Sequence, residues 1–188
     1  ALTTNIYDFS FGSDTGGSVR IPASFCGLFG IRPTHDRINT DDVFPMAPSF
    51  DTIGWFAKDI QIFQKIGEVL LKNTNKPTAN FIEFVIAEDL LELADLDVQN
   101  EFKIFFKDKI TNIKKIRLSK FDKAEIADNF RILQGNEVKE NVIPWINQNN
   151  PYISPEINSR IEMASKITAD EVKTANSFRT NLINEIET

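Results

Sequence analysis

One serine, Ser18, follows two consecutive glycines in the segment GSDTGGSVRIPASFCG, residues 12–27. Glycine loses the most backbone freedom on folding, so a pair of glycines indicates an unusual turn or the close approach of another group to the backbone. A helix predicted after Ser18, with Pro22 in its first turn, leaves backbone N–H groups near the serine unpaired. Such N–H groups stabilise the oxyanion that forms when a serine attacks a carbonyl. The segment can therefore support acyl transfer, although a serine that merely caps a helix is more common.

Three other loops that are rich in serine or glycine do not fit this segment. Gly12 and Gly17 have the spacing of a phosphate-binding loop, but Ser18 stands where that loop needs lysine. A nucleophile elbow needs glycine two residues after the serine, and this chain has Arg20 there. No Ser-x-x-Lys sequence occurs in the chain, which argues against a penicillin-binding type of site. Spacing alone leaves acyl transfer and a structural turn as the two interpretations.

The continuous run GSDTGGSVRIPASFCGLFGIRPT, residues 12–34, resembles the central motif of the amidase signature family. The resemblance continues more loosely through FPMAPSFDTIGWFAKD, residues 44–59, and is faint beyond about residue 75. Many members have Gly-Pro where this chain has Gly54-Trp55, and in this respect the chain is most similar to plant-type indole-3-acetamide hydrolases and their bacterial relatives. The resemblance implies an α/β/α sandwich around a mixed sheet. It also implies hydrolysis of a small carboxylic amide, with aryl-acetamides as the expected substrates, to an acid and ammonia.

The resemblance also assigns roles to residues of the glycine-serine segment. Ser18 matches the nucleophile that becomes acylated. Asp14 and Arg20 match motif positions and are expected to hold the loop by hydrogen bonds. The oxyanion hole is expected to consist of the backbone N–H groups of Thr15, Gly16, Gly17 and Ser18.

For three further residues, a role in catalysis or substrate binding is compared with a purely structural one. Cys26 matches the family's cysteine and is predicted to lie in the core rather than to react. His35, the only histidine, is predicted to be a solvated loop residue, because the family uses no histidine. Trp55 and the 16 phenylalanines permit an aromatic substrate pocket, but most of these rings are predicted to be core.

The residues that activate the nucleophile in the family are not found in this chain. The family uses a second serine and a lysine, which precede the strand before the motif, and no GGSSGG-like loop or matching lysine occurs here. A serine hydroxyl without a base is a weak nucleophile at neutral pH. A complete family core is roughly twice as long as this chain. We therefore expect an interior or carboxyl-terminal part of an amidase domain, or one chain of a split protein. It should be inactive alone, with the remaining part of the same domain as its partner.

The elements that must position these residues alternate between strands and helices, which indicates an α/β chain with a layered sheet and a largely helical last third. Residues 1–188 are predicted to form part of a single domain, with a signature core (1–75), an α/β segment (76–122) and a helical segment (123–188). Strands are predicted at residues 3–12, 52–59, 81–89 and 114–121. Helices are predicted after Ser18, at 60–72, at 98–110, at 124–148 with a break near Gly135 or Pro144, after Ser154 and after Thr168.

Composition limits the partners and the compartment. The net charge of −6 disfavours binding to nucleic acid, and no apolar run is long enough to span a membrane. A single cysteine excludes an intramolecular disulfide, so the sequence predicts a reducing, cytoplasmic location. No cluster of histidine, cysteine and carboxylates has ligand spacing, so neither a metal nor an organic cofactor is predicted.

Two alternative functions share the motif. An amidotransferase A-type subunit would deliver ammonia to a charged transfer RNA with partner subunits, but Gly54-Trp55 and the acidic charge argue against it. A non-catalytic interaction module would keep the fold and lose the serine. Because Ser18 is present, this alternative ranks last.

Overall fold

The computed structural model describes residues 1–71, 84–107 and 113–187. The chain divides into two units: the first combines Ala1–Asn75 with Arg131–Val172, and the second combines Lys76–Phe130 with Lys173–Thr188. The single domain that the sequence suggests stays a prediction. In chain order, the elements are β1 (Phe9–Ser13), α1 (Arg20–Phe25), β2 (Phe29–Ile31), β3 (Ile53–Ala57), α2 (Ile60–Leu70), β4 (Phe84–Ala87), α3 (Glu88–Leu91), α4 (Leu96–Phe106), β5 (Ile113–Ile116), α5 (Lys123–Asn141), α6 (Ile143–Asn149), α7 (Pro155–Ser165) and α8 (Ala169–Glu187).

A three-stranded sheet with the order β1-β3-β2 forms the base of the first unit, and both outer strands run antiparallel to β3. The predicted strand at 52–59 is therefore confirmed as β3. The predicted strand at 3–12 begins only at Phe9, because the residues before it form a turn in which Asn5 has φ 58°. β1 is largely exposed: Phe9 and Phe11 are 43% and 52% exposed, and only Gly12 is partly buried.

Helices cover both faces of this sheet. On one face Trp55 is 1% exposed, packs against Phe63 of α2 with ring centroids 5.4 Å apart, and donates its indole N–H to the Phe63 carbonyl. On the other face α1 approaches so closely that a Cβ on Gly30 would lie 2.4 Å from the Cβ of Ala23. Because side chains alternate along a strand, each face receives its own helix, and the first unit has the predicted α/β/α layering.

Local capping signals account for two helix starts. The Asp59 carboxylate accepts the N–H groups of Gln61 and Ile62 at 2.8 and 3.0 Å, which confirms the predicted start of α2. Thr168 and Glu171 form a reciprocal capping box at the start of α8, with the Thr168 N–H donating to Glu171 at 2.8 Å and the Glu171 N–H donating to Thr168 at 3.3 Å.

The long helical segment breaks at one of the two predicted positions. α5 runs without interruption through Gly135 and ends at Asn141, and α6 begins after Val142 with Pro144 in its first turn. Gly135 has a packing role instead, because a Cβ there would lie 2.5 Å from the Cδ1 of Ile167. Proline lacks the N–H that a continuous helix needs, and this explains why the break falls there.

The second unit contains a parallel pair, β4 and β5, with Phe84 opposite Ile113. β4 is shorter than the predicted strand at 81–89: residues 81–83 lie outside the described residues, and α3 begins at Glu88. The predicted helix at 98–110 corresponds to α4, and its last three residues also lie outside the described ranges. β5 covers only the first part of the predicted strand at 114–121. None of the helices in the described ranges combines the length and apolar composition that a bilayer span requires.

Candidate functional site

Ser18 lies on the loop between β1 and α1, immediately before the residue that caps the helix. Val19 occupies the N-cap position of α1, and no side chain there bonds to the helix. The Ser18 side chain is exposed and has no hydrogen bond among the described residues. Ser18 is therefore not the N-cap residue of α1, so the purely structural role considered for it, that of a helix cap, does not apply.

Asp14 is the centre of the loop and has 0% exposure. Its Oδ1 accepts the Gly17 N–H at 2.7 Å, and its Oδ2 accepts the Val19 and Arg20 N–H groups at 3.2 and 3.1 Å. The Arg20 guanidinium adds two bonds, from Nε at 3.1 Å and from Nη2 at 3.0 Å. Asp14 and Arg20 thus bond to each other, and Asp14 also bonds to the backbone of the loop.

These bonds govern the charge of Asp14. Burial acts to raise the pKa of the Asp14 carboxyl, but the hydrogen bonds from the Arg20 side chain and from three backbone N–H groups outweigh it and lower the pKa to about 2. The carboxylate is therefore ionised at neutral pH. It closes the turn by accepting the N–H group of Gly17 and those of Val19 and Arg20, which follow the Gly-Gly-Ser segment.

Gly17 allows the chain to make this turn. Its φ is +121°, which side chains rarely tolerate, and a Cβ there would lie 2.6 Å from the Cδ1 of Ile21. The Gly17 N–H already donates to Asp14, so this N–H is not available to donate to an oxyanion. Among the described residues the N–H groups of Thr15, Gly16 and Ser18 have no acceptor, so these three of the four expected donors remain candidates for an oxyanion hole, which stays a prediction.

A second loop, residues 46–52, supports the first. The Thr15 hydroxyl donates to Asp51 at 2.5 Å, and the Asp14 N–H donates to the Thr52 carbonyl at 2.8 Å. The other Asp51 oxygen accepts the Met46 and Ala47 N–H groups, both at 2.9 Å. The oxyanion-hole candidates therefore rest on a loop that is itself tied together by one carboxylate.

Two further side chains connect these loops to the rest of the first unit. Arg32, on the segment after β2, donates from Nε to the Asp14 carbonyl at 3.2 Å and from Nη2 to the Phe50 carbonyl at 2.8 Å. Glu137, on α5, accepts the Ser49 N–H at 2.8 Å and also the Ser49 hydroxyl.

None of these supporting residues was predicted from the sequence. Arg32 lies in the motif segment 12–34 and Asp51 in the segment 44–59, and these positions were the sequence signal that could have identified them. Glu137 has no such signal, because it lies 88 residues from its partner Ser49.

His35, Trp55 and Cys26, for which the sequence favoured a structural role, lie in different environments. His35 is a partly exposed loop residue, as predicted. Its ring contacts the Pro48 carbonyl at 2.8 Å and Asp36 at 3.2 Å, and among the described residues no hydrogen bond joins it to Ser18. Trp55 is core, since only 1% of it is exposed. Cys26 is exposed, so its predicted core position is wrong: it ends the short helix α1, whose last residue, Phe25, is 87% exposed.

A base for Ser18 is not apparent among the described residues. Lys58 donates to the Asn5 side chain at 3.0 Å, and Lys65 is exposed on α2. In the described ranges no lysine is hydrogen-bonded to the Ser18 hydroxyl. Within the described residues the loop thus presents an exposed serine and three N–H groups without acceptors, and no base is bonded to that serine.

Comparisons with known proteins identify the family. The family model described as Amidase matches residues 1–96. The chain is 32% identical over 222 residues to Amidase 1 of Arabidopsis thaliana, and the match covers 100% of this chain and 52% of that protein. One component of the mitochondrial Glutamyl-tRNA(Gln) amidotransferase of Candida albicans is 46% identical over 68 residues, 36% of this chain and 15% of the relative.

A solved structure described as a crystal structure of an amidase superposes with a TM-score of 0.82 at 21% identity, covering 95% of this chain and 42% of that one. The similarity confirms the predicted fold class. The chain spans about half the length of the Arabidopsis relative and of this solved structure.

Proposed function

Because the chain belongs to the amidase family, we propose that it supplies the nucleophile and the oxyanion hole for the hydrolysis of a linear carboxylic amide. The observation that carries the proposal is the exposed, unbonded Ser18 hydroxyl on a loop with three N–H groups that lack acceptors within the described residues. Asp14 supports this role because it takes up the Gly17 N–H and holds the turn in place.

The proposed reaction passes through an ester of Ser18. The Ser18 Oγ attacks the amide carbonyl carbon and transfers its proton to a base. The negative oxygen of the tetrahedral intermediate accepts hydrogen bonds from the N–H groups of Thr15, Gly16 and Ser18. The C–N bond breaks as the nitrogen takes up a proton, and ammonia leaves. Water then attacks the acyl ester, which releases the carboxylic acid and regenerates the hydroxyl.

We place the base outside the described residues, on the remaining part of the same amidase domain. Phe9 and Phe11 support this assignment of a partner. They contact each other edge to face at 5.4 Å on the outer strand β1, yet remain 43% and 52% exposed. A strand at the edge of a sheet also presents unpaired backbone groups. Additional structure that pairs with β1 and covers these rings would complete both the sheet and the site.

The expected substrates are aryl-acetamides. The aryl-acetamide preference that Gly54-Trp55 suggests stays a prediction, and groups other than Trp55 would have to recognise the ring, since Trp55 is 1% exposed. Cytoplasmic location, and the absence of nucleic acid, membrane and cofactor from the reaction, also stay predictions.

The test compares Ser18→Ala with Ser24→Ala, an exposed serine on α1, in the protein completed by the remaining part of the amidase domain. Ser18→Ala should abolish ammonia release from small amides and leave the circular dichroism spectrum almost unchanged, whereas Ser24→Ala should retain activity. Ammonia release by the folded Ser18→Ala variant would remove this serine from the mechanism.

Labelling by a fluorophosphonate tests the alternative of a non-catalytic module. We expect Ser18-dependent labelling of the completed protein, and a folded but unlabelled protein would favour the module. The amidotransferase alternative is not favoured, because the similarity to the Candida amidotransferase component is confined to 36% of the chain.

A further inference from the structure

We propose that Arg32 orients and polarises the Thr15 N–H group, and so acts as a positioning residue for the oxyanion hole. This inference rests on the function proposed above. Arg32 is half-buried and donates to two backbone carbonyls, that of Asp14 at 3.2 Å and that of Phe50 at 2.8 Å. It therefore connects the loop that carries Ser18 to the loop of residues 46–52.

The first contact acts directly on a proposed oxyanion donor. The Asp14 carbonyl and the Thr15 N–H belong to one peptide unit, which is planar. The chain contains no cis peptide bond among its described residues, so the C=O and N–H of this unit point in opposite directions. By holding the carbonyl end, Arg32 fixes the direction of the Thr15 N–H. That N–H has no acceptor in the described part of the chain.

Neighbouring contacts hold both sides of the same peptide unit. The Asp14 N–H donates to the Thr52 carbonyl at 2.8 Å, and the Thr15 hydroxyl donates to Asp51 at 2.5 Å. Thr15 is only 6% exposed. These two bonds anchor the flanking atoms, and Arg32 bonds to the carbonyl of the unit itself.

The charge of Arg32 adds an electrostatic effect. A hydrogen bond from a cation to a carbonyl is stronger than a neutral one, and hydrogen bonds in a chain polarise one another. The Thr15 N–H becomes a better donor when Arg32 binds the carbonyl of its peptide unit. A developing oxyanion gains more from this donor than a neutral substrate carbonyl does, so the effect belongs to the transition state.

The decisive experiment compares Arg32→Met with Arg37→Met in the completed, active protein. Arg37 is an exposed arginine a few residues along the same segment, and its side chain has no hydrogen bond among the described residues. Losing one oxyanion donor typically lowers kcat about 100-fold or more, and a misdirected donor should lower it about tenfold with KM changed less than about twofold. Arg32→Lys should recover most of the activity, because an ammonium group is also a charged donor. Arg37→Met should match the parent protein.

The outcomes separate this inference from the proposed function. Ammonia release by Ser18→Ala overturns both. An inactive Ser18→Ala together with an Arg32→Met variant that matches Arg37→Met, or that changes only KM, overturns the role of Arg32 alone. If thermal unfolding shows that Arg32→Met does not fold, Arg32→Gln, which keeps a neutral donor, replaces it. A folded Arg32→Gln with the parent kcat contradicts the inference, and one with a lowered kcat and unchanged KM supports it.

Discussion

Replacing Asp14 with asparagine preserves the size of a fully buried side chain but removes its charge and one of its two acceptor oxygens. In the better of the two amide orientations, the remaining oxygen takes the place of Oδ2 and keeps the bonds from Val19 N, Arg20 N and Arg20 Nε. The amide nitrogen then faces the Gly17 N–H and Arg20 Nη2, both of which are donors. The variant must therefore leave the Gly17 N–H, on a buried residue, without an acceptor.

The expected cost follows from this bond count. An unsatisfied buried donor costs about 1–3 kcal/mol. Lowering the pKa of Asp14 from 3.8 to about 2 corresponds to about 2.4 kcal/mol, and solvent screening near the half-exposed Arg20 side chain reduces this to about 1–2 kcal/mol. Because these contributions overlap, we expect Asp14→Asn to lower the free energy of unfolding by about 2–4 kcal/mol. For the completed protein, which is roughly twice as long as this chain, the melting temperature should fall by roughly 2–5 °C.

The assay is urea unfolding of the completed protein at several pH values, with Asp8→Asn as the control. Asp8 is exposed and has no hydrogen bond in the described residues, so its replacement should change stability by less than about 0.5 kcal/mol. Asp14 has a lowered pKa in the folded state, so its contribution is present above pH 4 and is lost as pH falls toward about 2. The difference between parent and Asp14→Asn should shrink over that range. A difference at pH 7 no larger than that of Asp8→Asn, or one that grows as pH falls, would refute the reasoning.

Two further predictions concern the glycine turn and the isolated chain. Gly17→Ala should lower kcat about tenfold or more, because the residue has φ +121° and its N–H holds Asp14, whereas Gly27→Ala, with φ +62° and open space around its Cβ, should lower stability but not turnover. Equal turnover in the two variants would contradict the role of the turn in the site. Residues 1–188 alone should release no ammonia and should bind a hydrophobic dye through exposed rings such as Phe9 and Phe11, and adding the remaining part of the domain should reverse both. A monodisperse isolated chain that hydrolyses an amide would show that the base lies within it.

Features governed by neighbouring residues were predicted well from the sequence. The caps at Asp59 and at Thr168–Glu171 form between residues two or three positions apart, so residue type and spacing suffice to predict them. The helix break at Pro144 likewise follows from one missing N–H. The motif around Ser18 identified the family and the loop that carries the proposed nucleophile, because the turn is built from a few consecutive residues.

Features that depend on distant contacts were decided only by the tertiary structure. Burial could not be read from residue type: Trp55 packs beneath α2, while Cys26 lies at the exposed end of α1. The bonds of Arg32, Asp51 and Glu137 span 18, 36 and 88 residues. Such partners meet only after the sheet and its helices have packed, and no local pattern encodes them. The sequence by itself determined the family and the Gly-Gly-Ser loop. Tertiary packing decided how that loop is held in the first unit, because Arg32, Asp51 and Thr52 reach it only after the chain has folded.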